Sequence, residues 1–212
     1  MHDLSSITIR SISVSDMDNN VYLITAKASG AQVLIDAADN APAILELLAQ
    51  GAGDTQADAK PALIITTHSH WDHVRALAAV IEHTGARTAA GLADVPDINV
   101  PTDIPLEHGD IGNFEGFDLE AIALRGHTPG SIALLYRDPD GPAHLFTGDS
   151  LFPGGVGNTN GDQHRFESLY NDVVERLFNV LPDDTVVHPG HGKPTTLGAE
   201  RPSLAEWKSR GW

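Results

Sequence analysis

The most informative part of this 212-residue sequence is IITTHSHWDHVRAL, residues 64–77. Its apolar start predicts a buried β-strand, and its end has the apolar spacing of a helix. Between them lie His68, His70, Asp72 and His73, all able to bind a metal ion. In an extended backbone, residues two apart point to the same side, so the first two imidazoles can converge on one ion. Asp72 and His73 fall on the turn into the helix and point another way, which favours two adjacent ions over one.

A histidine-rich helix cap, with Asp72 as the capping residue, is the alternative interpretation of this segment. We disfavour it because three imidazoles placed behind a buried strand bring no benefit to folding. Imidazole nitrogens and carboxylate oxygens are suitable ligands for zinc, iron or manganese. The segment therefore predicts a metal site at the end of a strand.

Three later segments each place one more ligand candidate directly after a predicted strand. They are His127 in LRGHTPGSIALLYR (124–137), Asp149 in HLFTGDSLFPGG (144–155) and His191 in TVVHPGHGKPTTLGAE (185–200). Sheets of α/β proteins commonly build sites at the C-terminal ends of their strands. The four segments are therefore expected to meet.

Strands and helices alternate along the chain, which predicts an α/β fold. Apolar and β-branched runs predict strands over 7–14, 20–26, 31–36, 61–67, 117–124, 131–137, 143–148 and 185–188. Helices are predicted over 41–50, 72–85 and 166–181, the last with Leu169, Val173, Leu177 and Val180 on one apolar face. No linker or shift in composition marks an internal boundary, so residues 1–212 are predicted to form a single domain.

The composition excludes several classes of protein. The chain has 13 Lys and Arg against 29 Asp and Glu, a net charge of −16, which disfavours nucleic-acid and membrane partners. It has no cysteine, which excludes disulfides, thiolate nucleophiles and sulfur-ligated metals. There is neither a signal peptide nor an apolar run of about 18 residues, and we expect a cytoplasmic protein. The sequence leaves the oligomeric state open.

The motifs HSHWDH, GHTPGS, TGDSLF and PGHG, in this order, resemble those of the metallo-β-lactamase superfamily. The resemblance covers nearly the whole chain. It implies a four-layer αββα sandwich with two metal ions at one edge of its two sheets. By motif position, the ligands of the first ion would be His68, His70 and His127, and those of the second Asp72, His73 and His191. Asp149 would bridge the ions, and Asp36 would orient a ligand imidazole.

The stretch GDSLFPGGVGNT resembles glyoxalase II and its short relatives, which cleave thioesters of hydroxy acids. The resemblance implies a hydrolase in which a hydroxide bridges two divalent ions, zinc foremost, with iron or manganese also suitable. Asp72 would be the catalytic residue that orients this hydroxide. Three departures leave the carrier thiol open. Asn158 stands where the family commonly has arginine, Arg125 replaces a small residue, and the chain ends 21 residues after His191, without the helical C-terminal domain of glyoxalase II.

Three other functions are compatible with the same motifs. A lactonase or other esterase would use the same binuclear site on a small ester. A persulfide dioxygenase would use one iron, held by His68, His127 and Asp149. A metal-binding module without catalysis is disfavoured, because seven ligands around an open position are more than binding alone needs.

Six histidines lie outside the motifs and are interpreted as surface or core residues: His2, His83, His108, His144, His164 and His188. Of these, His188 competes with His191 for the role of C-terminal ligand, since HPGH offers two imidazoles. His164 lies in the loop after Asp149, and a substrate contact is the less favoured alternative for it. The expected partner is a small thioester or ester.

Overall fold

The computed structural model describes residues 1–211. Its strands are β1 (His2–Asp3), β2 (Ile7–Val14), β3 (Asn19–Ala26), β4 (Ala31–Ile35), β5 (Lys60–Thr66), β6 (Arg87–Gly91), β7 (Ile104–Leu106), β8 (Ile111–Asn113), β9 (Asp118–Ala123), β10 (Ile132–Tyr136), β11 (His144–Gly148), β12 (Leu151–Phe152), β13 (Gly155–Val156), β14 (Val186–Pro189) and β15 (Thr195–Thr196). Its α-helices are α1 (Ala41–Ala52), α2 (Leu77–Thr84), α3 (Gln163–Val173), α4 (Leu197–Glu200) and α5 (Leu204–Arg210). Short 3₁₀ segments are Trp71–His73, Leu92–Asp97 and Arg201–Ser203, and a π-helical turn, Val174–Phe178, continues α3.

Two sheets pack face to face. The first has the strand order β1-β2-β3-β4-β5-β6-β7, and the second has the order β15-β14-β11-β10-β9-β8. Successive side chains of a strand point to opposite faces, and the burial follows this rule. In β3, Tyr22 and Ile24 pack between the sheets, whereas Val21 and Leu23 pack on the outer face with α1 and α2. In the second sheet, the outer face packs against α3 and α5. The layers are therefore helix, sheet, sheet and helix, and the expected αββα sandwich is confirmed.

Most of the predicted ligands follow the ends of parallel strands, whereas His127 follows β9, which is antiparallel to both of its neighbours. In the first sheet, β4, β5 and β6 are parallel, and His68 comes two residues after β5. In the second sheet, β11 and β14 are parallel, with Asp149 directly after β11 and His191 two residues after β14. The C-terminal ends of parallel strands meet at the same edge of a sheet. The two sheets thus present the candidate residues at one edge of the sandwich.

Two of the predicted helices differ from the structure. The helix over 72–85 begins only at Leu77, because the backbone N–H groups of Arg75 and Ala76 donate to the carbonyls of Ala38 and Ala37 instead. The helix over 166–181 turns into the π-helical turn, whose extra residue per turn shifts the apolar face. Val180, expected on the buried face, is consequently 64% exposed.

The strands β6, β7 and β8 were not predicted from the sequence. β6 has the sequence RTAAG, which lacks a β-branched run, and its strand structure comes from pairing with β5 and β7. Within residues 1–211, no helix has both the length and the apolarity needed to cross a membrane.

Candidate metal centre

Three histidines form the first group of donors. A ligand nitrogen of each of His68, His70 and His127 lies within 4.8 Å of the others. Their ring centroids are 4.8 Å apart for His68 and His70, and 4.5 Å apart for His70 and His127. The extended backbone expected after β5 therefore brings the first two imidazoles to one side, where the turn after β9 supplies the third.

Asp72, His73 and His191 form the second group. The Nε2 atoms of His73 and His191 are 3.2 Å apart, and Oδ2 of Asp72 lies 3.6 Å and 3.3 Å from them. Ligand atoms on a tetrahedral zinc ion with bonds of about 2.0–2.1 Å are roughly 3.4 Å apart. The spacing of this group therefore fits a metal ion.

Asp149 lies between the two groups. Its Oδ2 is 4.0 Å from Nε2 of His68, 3.6 Å from that of His127 and 3.4 Å from that of His191. Its Oδ1 is 3.4 Å from Nε2 of His73. One carboxylate thus faces imidazoles of both groups, as a bridging ligand requires.

Hydrogen bonds on the far side of three rings direct Nε2 into the site. Nδ1 of His73 lies 2.9 Å from Oδ2 of Asp36, that of His127 lies 2.8 Å from the Asn158 carbonyl oxygen, and that of His191 lies 2.8 Å from the Met17 carbonyl oxygen. All three partners accept, so each Nδ1 carries a proton and Nε2 is the nitrogen left to face a metal ion.

Several of these inward-facing atoms are buried without a hydrogen bond. Within residues 1–211, no hydrogen bond is made by Nε2 of His68, Nε2 of His127 or Oδ1 of Asp149. A buried polar atom is nearly always paired, so such atoms clustered at one point need an explanation. A metal ion would provide it, and the donor set of imidazoles and carboxylates fits a first-row transition ion.

The pKa values of the histidines in the site are shifted in opposite directions. Burial, and next the charge of His73, lowers the pKa of His68 well below its ordinary value, and burial lowers the pKa of His127. Burial also opposes a proton on His73, but Asp36 and Asp149 outweigh it and raise its pKa to about 10. A metal ion must displace that proton, so metal binding to the second group is favoured as pH rises.

Asp36 stabilises the site through hydrogen bonds with Thr67 and His73. It follows β4 with a φ of 57°, a left-handed conformation that is uncommon for a residue with a side chain. Its carboxylate accepts from the backbone N–H of Thr67 at 2.7 Å and from the Thr67 hydroxyl at 2.8 Å, in addition to His73. The contact between Asp36 and His73 agrees with the expectation that Asp36 orients an imidazole of the site.

Two buried residues that position the site were not predicted from the sequence. Asp94 accepts from the backbone N–H of Ser69 at 2.8 Å and from that of Gly130 at 2.6 Å, and so ties the loop after β5 to the loop before β10. Asn19 donates to Oδ2 of Asp72 at 2.9 Å. Neither lies in a metal-binding motif. The only signal in the sequence is a polar residue next to an apolar strand, which is common at turns.

Two glycines are required by close packing at the site. A Cβ at Gly190 would lie 2.2 Å from Oδ1 of Asp149, and one at Gly157 would lie 1.8 Å from the Asp149 carbonyl oxygen. Both distances are impossible for a side chain. The glycines of PGHG and of GVGN therefore let the backbone pass beside the carboxylate.

The other predicted residues lie outside the donor groups. His188 is buried and lies 2.9 Å from His144, while His164 is exposed. Arg125 is engaged with Asp172, to whose oxygens its Nε and Nη2 both donate at 2.8 Å. Asn158 contributes its carbonyl oxygen, which accepts from His127.

Comparison with known proteins identifies the family. The metallo-beta-lactamase superfamily domain matches residues 14–191, which include every predicted metal ligand. The chain belongs to this superfamily. The resemblance to this superfamily inferred from the sequence is therefore confirmed.

Relatives within the superfamily include two activities. A hydroxyacylglutathione hydrolase of Haemophilus influenzae is 31% identical over 66% of this chain and 73% of its own length, and one of Cereibacter sphaeroides is 35% identical over 82% and 62%. The human mitochondrial persulfide dioxygenase is 30% identical over 80% of this chain and 62% of its own length. The chain thus spans less than two thirds of the length of the last two relatives.

Among solved structures, a protein crystallised in a di-iron-bound form is 30% identical to this chain. The match covers 91% of this chain and 96% of that one, with a TM-score of 0.71. The same fold therefore holds two iron ions in a relative of similar length.

Proposed function

We propose that this protein is a binuclear metallohydrolase that cleaves a thioester of a hydroxy acid. The observation that carries the proposal is the position of Asp149, whose two oxygens face both groups of donors at 3.4–4.0 Å. A site for a single ion would need only one of these groups. The proposed ligands are His68, His70, Asp72, His73, His127, Asp149 and His191.

Two divalent ions would supply a water molecule with a pKa near 7 and polarise the substrate carbonyl. Zinc is the first choice, and iron or manganese also suit these ligands. The residues of the chain orient the reactants. Asp72, held by Asn19, is the carboxylate placed to accept a hydrogen bond from the attacking water. Hydrolysis adds water across the C–S bond and yields a carboxylate and a thiol, which leaves as thiolate without a general acid because its pKa is about 8.5.

The choice of a thioester rests on the hydroxyacylglutathione hydrolases among the relatives. Lactones and other small esters are the alternative substrates for the same site. Their hydrolysis differs in that the departing alkoxide needs a proton. The proposed partner is therefore a small acyl compound, not a nucleic acid or a membrane, and the proposed location is the cytoplasm. The net charge of −16 supports this choice of partner because it repels phosphate backbones.

A persulfide dioxygenase is the second candidate. Its single iron would use His68, His127 and Asp149. Oδ2 of Asp149 lies 4.0 Å from Nε2 of His68 and 3.6 Å from Nε2 of His127. The hydrolase is favoured because the second group is also assembled, with its three donors 3.2–3.6 Å apart.

A substrate panel tests the proposal. The purified protein would be loaded with zinc, iron or manganese, its metal content measured, and hydrolysis followed for hydroxyacyl thioesters of glutathione, of other thiols, and for lactones. We expect thioester hydrolysis that is abolished by a chelator and restored by metal. Asp72→Asn is expected to lose most of this activity, whereas Asp140→Asn, on the exposed surface, retains it. Activity that survives complete metal removal would refute the proposal.

A further inference from the structure

A second cluster of histidines lies between the sheets, away from the candidate metal centre. His2 belongs to β1 of the first sheet, and His144 and His188 belong to the neighbouring strands β11 and β14 of the second. β11 begins with His144 and ends just before Asp149, and a strand of five residues is about 13 Å long. His144 therefore lies at the end of β11 opposite to the centre, whereas His188, on the neighbouring strand, comes three residues before His191.

The three imidazoles are close enough to share an ion. One ligand nitrogen of each lies within 4.8 Å of the others. Nδ1 of His144 is 2.9 Å from Nε2 of His188, and the ring of His2 lies edge-on to both, with centroids 4.9 Å and 5.3 Å away. The hydrogen bond between His144 and His188 uses one nitrogen of each ring and does not explain why a third imidazole, that of His2, lies beside them.

The surroundings keep the rings neutral and fixed. His144 and His188 are each 3% exposed, and the ring of Phe146 stacks on that of His188 at 4.8 Å. Burial, with the neighbouring histidine rings, lowers the pKa of His144 to about 4 and that of His188 to about 3. Neutral imidazole is the form that binds metal. His2 is half-buried, which leaves one side of the cluster open to an entering ion.

We propose that His2, His144 and His188 form a second metal site, which binds a first-row transition ion such as zinc. A donor set of three imidazoles selects such ions over magnesium or calcium, which prefer oxygen ligands. A zinc ion requires its nitrogen ligands to lie roughly 3.4 Å apart, so the hydrogen-bonded pair must open by about 0.5 Å. The ring that donates this hydrogen bond must also change tautomer, with its proton moving to the other ring nitrogen, so that both facing nitrogens can bind the ion. The bound ion would link β1 to the second sheet. Its three imidazole ligands would leave one coordination position for a water molecule.

Zinc binding tests the site independently of the hydrolase. Equilibrium dialysis against zinc would compare the wild-type protein with His2→Ala, which changes a half-buried residue of an edge strand, and with His83→Ala, which removes an exposed histidine elsewhere. We expect His2→Ala to bind one equivalent less than the wild type, and His83→Ala to bind the same amount. Thioester hydrolysis is expected to be unchanged in both. Equal stoichiometry in all three proteins would overturn the second site.

Thermal unfolding provides the second readout. Added zinc should raise the melting temperature of His191→Ala, in which the proposed hydrolytic site is impaired, and this rise should shrink when His2→Ala is added. Cobalt in place of zinc reports the same ligands through its visible absorption. Failure of the hydrolase proposal would leave these differences intact, whereas an unchanged zinc response after His2→Ala would contradict the second site alone.

Discussion

Nδ1 of His73 lies 2.9 Å from Oδ2 of Asp36, and both side chains are almost fully buried. The pair fixes the tautomer of the ring and aims Nε2 at Asp149, 3.4 Å away. A carboxylate behind a ligand imidazole also increases the basicity of the ligand nitrogen. Asp36 thus acts on the proposed second ion without touching it.

We predict that Asp36→Asn weakens metal binding about 10–100-fold, the usual effect of losing such a partner. Asparagine tolerates the left-handed φ of 57°, so the backbone should be retained. Affinity would be measured by competition with a chromophoric chelator. Asp39→Asn is the matched control, because Asp39 makes a partly exposed ion pair with Arg75 and accepts from the backbone N–H of Asn40, and neither contact involves a proposed metal ligand. Equal affinities for the two variants would contradict this role of Asp36.

Asp149→Ala should have a larger effect because it removes a donor to both groups. We expect the metal content bound at this centre to fall and turnover to drop by more than about 10-fold. Elemental analysis and steady-state kinetics on the same sample would measure both. A variant that retains full occupancy would show that the carboxylate does not bridge.

The ligand motifs could be recognised from the sequence because each follows an apolar strand within a few residues. A short separation leaves little freedom, so the end of β5 dictates where His68 and His70 lie. The same logic located Asp149, which directly follows β11, and His191, which comes two residues after β14. Each of these strands contains a short apolar run, and their bounds were predicted to within one or two residues.

The remaining features depend on contacts distant in sequence. Asn19 reaches Asp72 from a separation of 53 residues, and Asp94 reaches Gly130 from 36. The late start of α2 depends likewise on backbone bonds to the loop after β4. Periodicity and local composition carry no information on such pairs. The exposure of Val180 shows that a single π-helical turn changes which residues of a helix face the core, so that the spacing of an α-helix no longer predicts them.

Asp94→Ala is expected to destabilise the fold by about 3 kcal/mol, since it leaves buried donors of two loops without an acceptor. The loops after β5 and before β10 carry His68 and His127, so metal affinity should decrease as well. Asp97→Ala, an exposed change in the same 3₁₀ segment, should alter stability by less than about 0.5 kcal/mol. Urea unfolding of both variants would measure the difference, and similar values would contradict the tie between the loops.

The buried His188 should make stability depend on pH. Its pKa is lowered by burial to about 3 in the folded protein, against 6.5 for an unperturbed histidine, so the unfolded chain binds the extra proton as pH falls. Its contribution is complete above pH 6.5 and decreases below it, by about 2 kcal/mol between pH 6.5 and pH 5.

His188→Phe isolates this effect, because phenylalanine can stack on Phe146 without taking up a proton. Unfolding would be followed in chelator, and the stability difference between wild type and variant compared at pH 7 and pH 5. We expect the wild type to lose about 2 kcal/mol relative to the variant. A difference that is independent of pH would show that His188 does not titrate on unfolding.

The two candidate activities differ in what they require of His191. A single iron held by His68, His127 and Asp149 leaves His191 free of the metal, whereas the binuclear hydrolase uses it as a ligand beside Asp72, with Nε2 3.3 Å from Oδ2. We therefore predict that His191→Ala and Asp72→Ala each abolish most of the hydrolysis. His108→Ala, an exposed change, should be without effect. Oxygen uptake by the iron-loaded protein with glutathione persulfide would be recorded in parallel, and none is expected. Stoichiometric oxygen uptake that survives His191→Ala would assign the site to the dioxygenase, because only a single-iron centre can function after the second group of donors is broken.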